Sequence, residues 1–400
     1  MNLRTSLTSS FSLKSFANPL LNAWPMLLAI AAAVGVASLL LLALNANPLQ
    51  AFGSMLQGAF GTANATAETL VKAIPVLFVA IGICVAFRGG VVNIGGEGQM
   101  IAGAVAGVTA ALALGPTITF SPLLITLCLV CGFFAGALYG GLAGFLKAYF
   151  NVNEILSTIM LNQVAVQMMN FLLNGPLLDP AELGMNHIPK TARIVQWAEL
   201  PRLSLSLGEN LELFARTRLH LGLLIGIVLA IVIYVLLWRT TIGYRIRAVG
   251  QNERASRYAG INVRRQIVLA MFLAGGLAGM AGVVQVLGLQ YRLQTDGSPT
   301  GFTGNAGFNG IVAALFGGLN PLGAIPASAI FGGLLVGAQK MQRDLGVSAA
   351  LITAINGLIV VFVVSSQYHI RQRARRRLSP ATPTARVEPN PAAAAVEQQA

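Results

Sequence analysis

Charge is scarce in this chain. Of its 400 residues only 10% are Asp, Glu, Lys or Arg, and just 13 are acidic, where an ordinary soluble domain carries roughly 25% charged residues. Cysteine, histidine and tryptophan contribute three residues each. The histidines, His187, His220 and His369, are far apart, so no metal site is expected. Cys84, Cys128 and Cys131 all lie in apolar runs. Cys128-Leu-Val-Cys131 has CxxC spacing, but in that setting a thiol serves as a small hydrophobe. The phosphate-cradling pattern GxxxxGK(S/T) is absent, as is any nucleophile–base spacing of catalytic type. These absences exclude a soluble enzyme, a metalloenzyme and a chain that hydrolyses nucleotide by itself.

What is present is apolar. Hydrophobic residues make up 55% of the chain and mean hydropathy is +0.72. A spanning helix takes about 20 mainly apolar residues, and in lipid every backbone group must be satisfied within such a segment. The sequence therefore predicts an all-α, polytopic helical membrane protein. About ten transmembrane segments are expected: 24–44, 68–87, 98–115, 121–147, 155–173, 219–238, 266–288, 307–319, 323–339 and 346–366. The eighth is too short to cross alone unless it is a broken or half helix.

The net charge of +13 and pI near 10.4 could suggest a nucleic-acid binder. The basic residues instead cluster beside the ends of apolar runs, which is the pattern of membrane topology, so no nucleic-acid partner is expected. An N-in/C-in arrangement puts 17 of the 26 Lys and Arg inside, among them Arg88, Lys147, seven Arg in 239–265 and six in the tail. The expected organisation is a cytoplasmic N-terminal segment (1–23), a transmembrane domain (24–368) and a basic, then disordered, cytoplasmic tail (369–400). An outer loop (174–218) and a cytoplasmic loop (239–266) interrupt the domain. The location expected is the cytoplasmic (inner) membrane, in contact with lipid.

Glycine is plentiful and ordered. Gly132, Gly136, Gly140 and Gly144 are four apart on one face of the fourth span, and Gly103/Gly107, Gly275/Gly279 and Gly333/Gly337 repeat the spacing. Such faces let helices approach closely. Two further stretches are too glycine-rich to continue a helix cheaply: FRGGVVNIGGEGQ (87–99) and GSPTGFTGNAGFNGIVAALFGG (297–318). Each places an Asn, Asn93 or Asn309, in a turn leading into a helix. Broken segments in the two halves of a transporter point to a substrate pathway; two surface loops with Asn caps would give the same pattern. Asn93, Glu97, Gln99, Phe308 and Asn309 are the candidates there. Glu97 suits either a helix N-terminus, where the macrodipole favours a carboxylate, or a gate.

Gln163, Gln167, Asn170 and Asn174 share one face of the fifth span. Neutral amides there either contact a polar uncharged solute or bond neighbouring helices. No Asp or Glu falls within the span cores, which argues against an ion-coupled carboxylate relay. With no nucleotide pocket either, the driving force is expected from a partner ATPase. The 239–266 loop offers a dock: Asn252 as N-cap, Glu253 in the first turn and Gly260 at C′ predict a short helix over 253–259, flanked by Arg245, Arg247, Arg264 and Arg265. Lipid phosphates could hold the same loop.

Three stretches, FRGGVVNIGGEGQMIAGA (87–104), NEILSTIMLN (153–162) and TTIGYRIRAVGQNERASRYAGINV (240–263), resemble the permease subunits of bacterial ABC importers for ribose, simple sugars, nucleosides and branched-chain amino acids. The segment GFNGIVAALFGGLNPLGAIPASAIFGGLL (307–335) supports the likeness, which covers about 60–368 and is strongest to the nucleoside branch. The resemblance implies two permeases, often different, around a shared pathway, a cytoplasmic ATPase that holds the ATP and Mg, and an extracytoplasmic solute-binding protein. No cofactor is expected in this chain. The resemblance also puts Ala248, Gly250, Asn252, Ala255 and Gly260 in the ATPase-coupling segment. Two departures stand out: Asn309 where many relatives carry Asp, and Gln285 where Glu is common. The expected function is uptake of a small neutral polar solute (nucleoside, purine or simple sugar) by alternating access. A branched-chain amino acid permease, an ion-driven secondary transporter, a channel and a membrane scaffold are the alternatives.

Overall fold

The computed structural model describes residues 31–358, apart from 33, 44, 183–188, 204–216, 296–297, 299–300, 347–353 and 355–356. Helices dominate: α1 (Val34–Ala43), α2 (Pro48–Phe60), α3 (Ala63–Arg88), α4 (Gly96–Leu114), α5 (Ser121–Phe150), α6 (Glu154–Leu173), α7 (Gly222–Arg239), α8 (Thr241–Gln251), α9 (Glu253–Tyr258), α10 (Val263–Gln285), α11 (Ala306–Phe316) and α12 (Pro321–Leu345). Among the described residues, β structure is limited to isolated bridges such as Lys190 with Gln294.

Seven of these helices, α3 to α7, α10 and α12, are long and apolar enough to cross a membrane. They match seven of the ten expected segments. The expected eighth, 307–319, is the short α11. The tenth lies almost wholly, and the first partly, outside the described residues, as do both termini and the tail, so among the described residues the count is seven. Two helices had no counterpart in the sequence reading. One is α2, which turns 117° from α1 at the Asn45–Asn47 break. The other is α8, on which Gly243, Ile246 and Val249 are buried.

Glycine decides the packing. The Gly132–Gly144 face of α5 lies on α10, where a Cβ on Gly136 would strike the Gly275 carbonyl oxygen and one on Gly279 the Gly132 carbonyl oxygen. A Cβ on Gly103 of α4 would overlap Gly279 in turn. Three helices thus meet backbone to backbone, as in lipid, where close van der Waals contact replaces the hydrophobic drive. Helix α3 runs through the middle of the bundle and is buried along almost its whole length.

The helix ends sort into two levels. Lys147 of α5 pairs with Glu154 of α6 at 3.0 Å, and Gly250 of α8 touches Gly90 just past α3. The arginine-rich 239–265 loop, Arg88 and Lys147 therefore share one end of the bundle. At the other end the described parts of the 174–218 loop cover the helices: the Trp197 indole donates to the Gly115 carbonyl at 2.9 Å, and the Leu200 N–H donates to the Leu287 carbonyl at 2.8 Å.

Candidate functional site

The chain between α3 and α4 is non-helical over residues 91–95, with Val91, Asn93 and Gly95 buried. Gly96, at the start of α4, lies against Val79 of α3. Val79 is nine residues before the end of α3, or about 14 Å at 1.5 Å per residue, against a hydrocarbon core of about 30 Å. The break therefore reaches roughly the middle of the spans. Irregular backbone at that depth survives only if protein satisfies it, and side chains do so here. Asn93 accepts from the Gly95 N–H at 2.9 Å and exchanges two amide bonds with Gln99, each 3.0 Å. From α6, Asn162 accepts from the Gly98 N–H at 2.8 Å and donates to the Ile94 carbonyl at 3.0 Å. The Thr158 hydroxyl lies 3.4 Å from the Ile94 N–H, which donates to it.

Glu97 completes this cluster. It is 1% exposed, and its Oε1 accepts from the Gly307 N–H at 2.8 Å and the Phe308 N–H at 3.3 Å. Thr303 lies beside the same carboxylate. These N–H groups belong to the first turn of α11, whose 11 residues are about 16 Å long, half a membrane. The carboxylate thus sits at the positive end of a half-helix dipole. Gly307 is what allows the approach: a Cβ there would lie 2.6 Å from the Glu97 nitrogen. In the same turn Phe308 is exposed and Asn309 half-buried.

The structure therefore pairs Asn93 with Gln99 and brings Glu97 to the α11 turn that carries Phe308 and Asn309, although 210 residues separate Glu97 from Gly307. It does not bring Gln163 and Gln167 to them. Those two are exposed on the opposite face of α6, while Asn170 accepts from the Thr295 hydroxyl at 2.7 Å. The sequence reading missed Thr158 and Asn162; their i, i+4 spacing in NEILSTIMLN was the available signal. Helices α6 and α7 are the least covered spans, each 28% buried over its apolar stretch. Their bare faces differ. That of α7 is aliphatic, with Leu224, Val228, Ile231, Val232 and Val235, whereas α6 mixes Met160, Val164 and Met168 with the two glutamines.

At the arginine-rich end, Asn252 caps α9, accepting from the Ala255 N–H at 3.0 Å. Gly260 ends it at φ +78°, a left-handed conformation. Glu253, Arg254, Ala255, Arg257 and Tyr258 are exposed, Tyr258 at 94%, so α9 stands proud of the bundle. Arg245 is exposed too. Arg247 donates to the Leu237 carbonyl at 2.9 Å and lies over the Trp238 ring. Ala248 is half-buried, and its carbonyl takes the Asn252 N–H at 3.1 Å.

A cavity of about 120 Å³ opens beside the α11 N-terminus. Lys72, Gln285, Gln290, Phe302 and Thr303 line it. The helix turn at Val286–Gln290 beside it is widened to π form. Among the described residues no group of three or more His, Cys, Asp or Glu could hold a metal ion.

A helical bundle with seven apolar spans, built round a broken segment and a half helix, defines an integral, multi-pass membrane protein. Residues 65–364 match the family model described as the permease component of branched-chain amino acid transport systems, and the chain belongs to that family. It is 33% identical to the guanosine ABC transporter permease protein NupP of Bacillus subtilis, over 86% of this chain and 93% of that one. It is 32% identical to the glucose ABC transporter permease protein TsgB13 of Haloferax volcanii, over 86% and 88%. It is 29% identical to the nucleoside ABC transporter permease protein NupB of Lactococcus lactis, over 84% and 89%. Bacillus subtilis and Lactococcus lactis each contribute a second permease of like description. No solved structure matches.

Proposed function

We propose that the chain is one of two permease subunits of an ATP-driven importer in the inner membrane, carrying a small neutral polar solute of the nucleoside, purine or simple-sugar class by alternating access. The observation that carries this reading is the contrast between the bare faces of α6 and α7. Both spans lack cover, yet only α6 presents amides. An amide in lipid forfeits its hydrogen bonds, so Gln163 and Gln167 are best satisfied by a water-filled pathway or a second subunit, and the aliphatic α7 suits lipid. The relatives named for guanosine, nucleosides and glucose support the solute class, and the paired permeases in two of those bacteria support a heterodimer.

Charge on the solute is disfavoured. A half-helix N-terminus at mid-membrane is the usual seat of an anion, and here Glu97 already occupies it. Asn93 and Gln99 bond chiefly to each other, so they shape the pathway, while Phe308 and Asn309 on α11 and the α6 amides, with Asn170, touch it. At the inner end, α8 and α9 form the seat for an ATPase that binds ATP and Mg, with Arg245, Arg247, Ala248, Gly250, Asn252, Glu253, Ala255 and Gly260 shaping it. An external binding protein delivers the solute.

The reading is tested in proteoliposomes. Uptake of a nucleoside or sugar should require ATP, the ATPase and the binding protein together. Accumulation by this chain alone under an ion gradient would replace the reading with secondary transport. Gln167→Ala should cut uptake several-fold at normal protein level; unchanged uptake would remove the amide face from the pathway.

A further inference from the structure

The half helix α11 is held at both ends by one short stretch of chain. At its N-terminus the Glu97 carboxylate takes the Gly307 and Phe308 N–H groups. Just past its C-terminus, the Arg88 guanidinium donates to the Leu319 carbonyl at 3.1 Å and the Gly318 carbonyl at 3.2 Å. An anion at the positive end and a cation at the negative end both complement the helix dipole. Residues 88–97 thus lie alongside α11 as a two-ended clamp.

The same stretch is the floor on which α8 rests. A Cβ on Gly250 would overlap the Arg88 carbonyl oxygen and lie 2.7 Å from the Gly90 nitrogen. Arg88 and Arg247 also both lie over the Trp238 ring, at 5.4 and 5.7 Å from its centre. A displacement of α8 therefore has no slack to absorb it before it reaches Arg88. At the far end of the clamp, the Phe302–Ala306 loop that leads into α11 forms one wall of the Lys72–Gln285–Gln290 cavity.

We infer that α11 is the lever joining the inner α8–α9 platform to this polar cavity in the outer half of the bundle, with Arg88 and Glu97 as the positioning residues that make it move as one rigid piece. The inference rests on the importer reading and deepens it. Lys72, Gln285 and Gln290 become the cavity wall against which the lever opens or closes, and the hydroxyl-rich part of a neutral solute is the chemistry that fits their donors and acceptors.

The test is the number of solutes moved per ATP hydrolysed by the full transporter, with its ATPase and binding protein, in liposomes. Arg88→Met and Glu97→Ala should each lower that ratio about tenfold while ATP hydrolysis stays within about twofold of the parent. Glu97→Gln, which keeps an acceptor for the Gly307 N–H, should fall between parent and alanine. The double variant should be no worse than either single, because both release one lever; residues coupled through one shared element are not additive. Should the alanine variant fail to assemble, Glu97→Gln and Arg88→Met decide the matter by the same ratio. Hydrolysis and uptake falling in step, or an unchanged ratio, would overturn the lever. A parent complex that hydrolyses ATP but moves no solute would instead overturn the importer reading.

Discussion

The bundle buries Glu97 near the middle of its spans, against the expectation that no acid falls within the span cores, because the break before α4 carries it to that depth. Its surroundings explain why it stays. A lone charge at that depth is expensive, but two backbone N–H groups and the end of a helix dipole face it. His220 shows the opposite solution. It lies in the turn ahead of α7, is 1% exposed, accepts from the Gly222 N–H at 3.2 Å through Nδ1 and has no partner at Nε2. Burial pulls its pKa down from 6.5 to about 4. The neutral ring is thus favoured in the fold. Stability from this group is complete above pH 6.5 and drains away as pH falls toward 4, where the unfolded chain takes up a proton first; the whole effect is on the order of 3 kcal/mol. The detergent-solubilised protein should therefore melt lower at pH 5 than at pH 7, and His220→Gln should flatten that dependence. Equal slopes in parent and variant would show that other groups set it.

At the scale of elements, the glycine faces carry the argument. Gly136 sits where any side chain meets the α10 backbone, whereas a Cβ on Gly53 of α2 would have nothing within 4 Å. Gly136→Ala should therefore separate α5 from α10 and cost about 1–3 kcal/mol, as overpacking against immovable backbone does. Gly53→Ala should be neutral, or stabilising by about 0.5–1 kcal/mol through helix propensity. Melting temperatures of the two purified variants check the pair, and similar values would refute this packing. The platform α8–α9 shows the same logic in another form. Thr240 and Asn252 cap its two helices, each accepting an N–H three residues on, so a short arginine-rich segment holds its shape outside the bundle.

For the whole molecule, the unequal burial of its spans sets the prediction. If α6 meets the second permease and α7 meets lipid, a cysteine at Val164 should cross-link to the partner subunit, and one at Val232 should not. The experiment is done in a background with Cys84, Cys128 and Cys131 replaced, and read as a heterodimer band on a gel. The reverse result would turn the subunit round and move the pathway to α7. Arg88, Lys147 and the 239–265 arginines cluster at one end of the bundle, and the proposed orientation puts that end at the cytoplasmic face.

Hydropathy and glycine spacing were enough to give the class, seven of the spans, the α5 and α10 faces and the capped α9, because each depends on residues within a few turns of one another. The break at 87–99 was legible for the same reason: five glycines in thirteen residues cannot be a helix. Helix α8 was missed although Thr240 and the Ile242, Ile246 and Val249 spacing announced it, since the arginines between them read as a loop. What no local pattern could disclose was the partner of each buried polar group. That Glu97 caps a helix 210 residues away, that Asn162 rather than Gln163 faces inward, and that Arg88 reaches Gly318 all depend on how the helices dock. A periodic sequence states which residues share a face, but only the packed bundle determines what that face meets.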